Sequence, residues 1–303
     1  MKKRLGSLAI VLLLLLIPLA ALVSLSLVYS EVGMAKDIGF QEPVLEPCDY
    51  SLLPQTVIDD AVRLSTEVKS DSEELAHSFQ EQLLATYLVA STQDVIIIFN
   101  SGGLGWNLTS ETPGWASILE GITGQLDTYG YKSLVLNYRR TGEGLKGIFG
   151  EIVEAIRRYP HKAPDLAFRV QFLTDHLPDL KIIVAGESTG TVISDKTMEL
   201  LKDESQVYSI QTGMPFWHKP NMIDRTLLVN NNGKGEDTFS YGNVPVMLWS
   251  TIKGWLGLSP PDENLGNILS WLRAPGHHYS WQYPGVYDEI INFLDSNFGQ
   301  PDN

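Results

Sequence analysis

The run Lys181–Thr191, KIIVAGESTGT, constrains the fold more than any other stretch of the chain. Ile182, Ile183, Val184 and Ala185 form a short, β-branched-rich apolar run, as a strand buried on both faces requires. Gly186 and Gly190 bracket Ser188 in a Gly-x-Ser-x-Gly pattern, and glycines at that spacing let helix backbone approach strand backbone through a sharp reversal. A helix opening at the serine aims its free N–H groups and positive dipole end at negative charge formed there. An ordinary Gly-rich strand-to-helix turn can carry the same letters. The strand before and the helical Val192–Leu201 run after favour a serine presented for attack.

The start of the chain sets where such a serine would work. Lys2, Lys3 and Arg4 precede Leu8–Val28, twenty-one residues without a charge. At about 1.5 Å per residue a helix of that length spans the ~30 Å core of a bilayer, with the basic end on the cytoplasmic side. The run is longer than the roughly 7–15 apolar residues of a secretory signal, which favours an anchor. Val28-Tyr29-Ser30 is still a passable cleavage site. Either way the body is expected outside the cytoplasm.

The formal charge of −14 becomes −17 once the three leading basic residues are set aside, which argues against nucleic acid as a partner. Cys48 is the sole cysteine, excluding an internal disulfide and a cysteine metal site. No two histidines have metal-ligand spacing on a helix, so no metal is expected. Residues 31–56, with Pro43, Pro47 and Pro54, read as a linker, leaving 57–303 as one domain.

Within that domain, strand-like and helical runs alternate, the order that predicts a mostly parallel sheet covered by helices. Predicted strands are Asp94–Phe99, Ser133–Asn137, the run before Ser188, Val207–Gln211 and Thr226–Val229. Predicted helices carry Leu75, Phe79, Leu83 and Tyr87; Trp115, Ile118, Ile122 and Leu126; Leu166, Val170, Leu173 and Leu177; and Val286, Ile290 and Leu294. Leu145, Ile148, Phe149, Ile152 and Ile156 sit at helical spacing within 142–160, as a cap helix over the site or as core.

With the GESTG turn and a histidine-bearing turn before the last helix, residues 90–298 resemble the α/β-hydrolase superfamily. The resemblance implies a triad in the order serine, acid, histidine. A serine hydroxyl needs a base to take its proton, and the base needs an acid to fix its tautomer. The resemblance places the base in RAPGHHYS, at His277 rather than His278. It places the acid after the penultimate strand, at Asp237, with Asp262 and Glu263 as alternatives and Glu236 as a weaker one. The forty residues from Asp237 to His277 exceed the family's usual interval, so an insertion is expected, with a helix over Val246–Leu256 and the PPDEN turn.

The resemblance also implies an oxyanion hole built from the backbone of Thr189 and of Gly103 in NSGGLGW. The family often has a histidine before its glycine there; this chain has Asn100 and Ser101. No Gly-Lys-Ser/Thr follows these glycines, so a nucleotide is not expected. Glu187, beside the nucleophile, either orients neighbouring loops or caps the turn. Trp249, Trp255, Trp271 and Trp281, with Phe216 and Trp217, are candidates to line an apolar pocket, or are core.

The expected activity is hydrolysis of a carboxylic ester or related acyl bond in a small substrate through a Ser188 acyl-enzyme, with no cofactor. A thioesterase, lipase or peptidase is not separable from an esterase at this level. The alternative from another class is a non-catalytic module keeping the hydrolase fold for binding at the cell surface.

Overall fold

The structure, a computed structural model, describes residues 39–40, 50, 53–69, 72–105, 112–142, 144–259, 265–269 and 272–299. Its centre is a six-stranded sheet of β1 (Gly39–Phe40), β2 (Val95–Asn100), β3 (Ser133–Arg139), β4 (Lys181–Glu187), β5 (Val207–Thr212) and β6 (Thr226–Val229), in the order β1-β3-β2-β4-β5-β6. All pairings are parallel except that of β1 with β3.

Period-two alternation explains how one sheet serves two cores. Ile96 and Ile98 of β2, with Ile182 and Val184 of β4, face one cluster; Val95, Ile97 and Phe99, with Ile183 and Ala185, face the other. The first cluster is covered by α1 (Gln55–Val68), α2 (Glu73–Ala90), α5 (Lys162–His176) and α6 (Thr189–Leu200). The second is covered by α3 (Pro113–Thr128) and α8 (Pro284–Phe298). Each Leu, Ile or Val fully buried this way contributes roughly 1.5–3 kcal/mol. Helix starts follow local chemistry: Ser72 caps α2 by accepting from the Leu75 N–H at 3.4 Å, and Pro113 and Pro284 open α3 and α8.

The chain leaves β2 through α3 to reach β3 on one side, and leaves β4 through α6 to reach β5 on the other. β2 and β4 are therefore the strands between which the winding reverses, and open parallel sheets bind ligands beyond the carboxyl ends of such a pair. Ser188 and the 101–105 loop follow those two strands.

The predicted strands and helices correspond to elements of the structure. The helix read over 142–160 is α4 (Gly144–Ile156), and that read over Val246–Leu256 is α7 (Val244–Trp255). Between α7 and His277 lies a hairpin of β7 (Leu265–Leu269) and β8 (Leu272–Pro275), whose β8 packs on α7. This is what occupies the long Asp237–His277 interval. Two elements touch the stretch read as linker: β1, whose two residues are too few to show periodicity, and the first residues of α1. The Leu8–Val28 run, Cys48, Trp271, Asp262 and Glu263 lie outside the described residues. Among the described residues no helix is long and apolar enough to cross a membrane.

Candidate active site

Ser188 stands at the corner between β4 and α6 with φ 51° and ψ −121°, a strained combination for a residue with a side chain. Its neighbours hold it there. The Ser188 N–H donates to the Thr212 carbonyl at 2.9 Å, and the Thr191 N–H donates to the Ser188 carbonyl at 3.0 Å. Gly190 is required by proximity, since a Cβ there would lie 2.2 Å from the Asn100 carbonyl oxygen. The hydroxyl that results is buried, with Ser188 only 4 % exposed.

His277 reaches that hydroxyl from the turn after β8. Its Nε2 lies 2.9 Å from Ser188 Oγ, and its Nδ1 lies 2.8 Å from Asp237 Oδ2. A carboxylate only accepts, so Nδ1 carries the proton and Nε2 is left to accept from the serine. The two loops are braced together: Asn232 Nδ2 donates to the carbonyls of Gly276 and His278 at 3.0 and 2.7 Å. Gly276 has φ 83°, and a Cβ there would meet the Glu236 carbonyl at 2.2 Å.

Asp237 is fully buried and accepts from five donors: the N–H groups of Phe239 and Ser240, the Ser240 and Tyr279 hydroxyls, and His277. Burial alone would raise its pKa, but the bond and charge of His277, with Tyr279 and Ser240, outweigh it and hold the carboxyl below the usual range. The same pair drives the Tyr279 phenol upward, through burial and the Asp237 charge.

His278, the alternative base, points elsewhere: it is exposed, with Nδ1 2.7 Å from the Tyr283 hydroxyl. Glu236 is exposed, and its backbone only bridges to Asn231. Among the described residues, the tryptophans do not gather in one pocket. Trp249 and Trp255 are exposed on α7, and Trp281 packs against Gly121 of α3 and Tyr287 of α8. Phe216 and Trp217 do sit near the site, edge-on to Phe239, whose ring lies 4.8 Å from that of His277.

The backbone donors expected around Ser188 belong to Thr189 and Gly103. Thr189 opens α6, where the first N–H groups have no intrahelical acceptor. In the facing loop, the Gly102 N–H donates to Glu187 Oε2 at 3.2 Å, so Glu187 does orient a neighbouring loop. Gly103 has φ 58° and, among the described residues, its N–H makes no hydrogen bond. Burial pushes the Glu187 carboxyl up despite that bond.

Sequence reasoning missed the group that shapes this loop. Arg140, fully buried just after β3, donates to the carbonyls of Ser101 and Gly103, the latter at 3.0 Å, and to Thr189 Oγ1 at 2.9 Å. Thr189 Oγ1 in turn donates to the Gly103 carbonyl at 2.8 Å. One guanidinium thus ties together the two segments that carry the free N–H groups. Its charge is balanced by buried Glu151 of α4, 2.8 Å from Arg140 Nε, and Glu151 also accepts from Tyr159 and Lys162. Burial would raise the Glu151 pKa, but Arg140 and Lys162 hold it below the usual range. The helix expected as a cap is therefore fastened beside the site by a buried ion pair. Among the described residues no cluster has the ligands for a metal.

No protein-family model matches the chain, and no curated protein matches it. Among solved structures it is similar to a cutinase from Trichoderma reesei in complex with a C11Y4 phosphonate inhibitor, at 14 % identity and a TM-score of 0.34, covering 63 % of this chain and 81 % of that one. A likeness of that size carries no weight on fold or function.

Proposed function

We propose that the protein is a serine hydrolase of the α/β-hydrolase type that cleaves a carboxylic ester or related acyl bond through an acyl-enzyme on Ser188. The observation that carries this reading is the unbroken chain from Ser188 Oγ through His277 to Asp237, with contacts of 2.9 and 2.8 Å. His277 Nε2 takes the hydroxyl proton as Oγ attacks the acyl carbon. The carbonyl electron pair moves onto its oxygen, toward the N–H groups of Thr189 and Gly103. Collapse of the tetrahedral adduct breaks the bond to the alcohol, which leaves with the proton from His277. Water then repeats both steps on the acyl-enzyme, freeing the acid and restoring the serine. Asp237 stays ionised and steadies the imidazolium.

Arg140 contributes by position, holding the two donor-bearing segments at a fixed separation before any substrate arrives. The body is exported and held at a membrane by the Leu8–Val28 run, or released if that run is cleaved. The reading is tested by covalent labelling with a fluorophosphonate and by hydrolysis of a short p-nitrophenyl ester. Both are expected for the native chain and lost in Ser188→Ala; a Ser188→Ala protein that still labels or turns over would remove the assignment.

A further inference from the structure

Helix α7 is built inside out. Its inner face, against β8, carries Met247, Ser250, Thr251 and Gly254. Thr251 Oγ1 accepts from the Arg273 N–H at 3.0 Å, and a Cβ on Gly254 would meet the Arg273 guanidinium at 2.4 Å. Its outer face carries Leu248, Trp249, Ile252 and Leu256, flanked by Trp255. Trp249 is 60 % exposed, Leu256 65 % and Trp255 69 %. A helix packed only for its own domain puts small polar residues outward and large apolar ones inward, so this outer face is made to be covered.

We propose that a phospholipid bilayer covers it, with α7 lying in the plane of the membrane surface. Two features select this occupant. From Thr238 to Pro261 a chain of net charge −14 has no carboxylate, and Lys253 is its one charge, so the stretch that forms α7 adds no repulsion toward the phosphates of lipid headgroups. Tryptophan flanked by leucine and isoleucine, with a lysine at the margin, is the composition of interfacial helices that sink about 5–10 Å below the headgroups. The second feature is reach. Ten residues separate Val28 from Gly39, a length that extends at most about 35 Å, comparable with the diameter of a domain whose radius of gyration is roughly 18 Å. This step rests on the membrane tether proposed above and not on the Ser188 chemistry. Inside the domain, Met247 on the inner face of α7 packs with Phe239, which touches the His277 ring. The covered face therefore adjoins the site.

The test uses the full chain in a Cys48→Ser background, incorporated in phosphatidylcholine vesicles. Trp249→Cys, Ile252→Cys or, as control, Lys202→Cys carries a polarity-sensitive fluorophore. Labels at 249 and 252 should shift to the blue and lose more than half their emission when doxyl-phosphatidylcholine replaces part of the lipid, while the label at 202 loses less than a tenth. Adding Leu248→Asp and Trp255→Asp should abolish the quenching at 252 while the chain still floats with the vesicles. A chain that floats with unquenched labels overturns the docking and spares the tether; a chain that does not float overturns both. A blue shift without lipid quenching means that protein, either a second copy or the Leu8–Val28 run, covers the face, and that overturns the bilayer as occupant. No arm measures turnover, so none depends on whether Ser188 is a nucleophile.

Discussion

Among the described residues are two buried histidine–aspartate pairs of equal length, and only one of them leads anywhere. His277 Nδ1 meets Asp237 at 2.8 Å and passes the interaction on, through Nε2, to Ser188. His218 Nε2 meets Asp195 of α6, also at 2.8 Å, but its Nδ1 is buried with no hydrogen-bond partner among the described residues. The second carboxylate is instead shared with Asn221, whose N–H and side chain donate to it at 2.9 Å each, so the pair pins the 215–221 loop to a helix. An imidazole paired with a carboxylate is thus a common structural fastening. What turns one into a proton carrier is a third group on the far nitrogen, placed there by a strained turn.

The sharpest way to break this contrast is at the third group. Ser188→Ala is expected to lower kcat on a short p-nitrophenyl ester by about 10⁵–10⁶-fold with an unchanged circular dichroism spectrum. Next comes the carboxylate. Asp237→Asn should cost about 10⁴-fold in kcat, because the amide favours the wrong imidazole tautomer. Asp195→Asn should leave kcat within a few-fold, and equal losses in the two variants would erase the distinction drawn here.

Arg140→Gln tests whether the site is held as well as assembled. Removing the guanidinium frees the 101–105 loop and leaves Glu151 with Lys162 as its remaining cationic partner. A kcat loss of up to about 10²-fold with little change in KM is expected, below the about 10²–10³-fold of deleting an oxyanion donor outright. Chemical denaturation should show a stability loss of about 3–5 kcal/mol, as for a broken buried pair, and Arg140→Lys should recover part of both. The smallest effect belongs to the second pair: His218→Phe should change stability by about 1–3 kcal/mol and leave turnover intact in thermal melts and assays run side by side.

Acid sharpens the same comparison without a mutation. Burial opposes ionisation of Asp165, but Arg169 and Lys69 dominate and bring it down to about 2. Asp237 is likewise depressed. A carboxylate lowered in the folded state stabilises it above the unfolded value near 4, and that contribution is lost as pH falls toward the folded value. Stability followed by fluorescence should therefore decline between roughly pH 4 and 2, and less steeply in Asp165→Asn.

The central strands and the corner serine were legible in the chain because each rests on a local pattern, a β-branched run or paired glycines, whereas His277 and Asp237 were expected only through a family resemblance. The parts that escaped depend on partners far away in sequence. Arg140, Glu151 and Lys162 look like ordinary surface charges, since such residues are seldom buried, and only the fold shows that they neutralise one another. The face that α7 turns inward cannot be read from its composition, which is apolar enough to pass for core. The β7–β8 hairpin fell inside an interval recognisable only by its length.

The two-residue strand at Gly39–Phe40 orders events in a newly made chain. Its partners are Arg139 and Tyr138, so the stem of the domain has no strand to pair with until some hundred further residues have followed it out of the ribosome. The body therefore closes onto its own stem late. Once closed, this short antiparallel cap occupies hydrogen-bonding groups on the outer margin of β3 that a neighbouring molecule could otherwise zip onto.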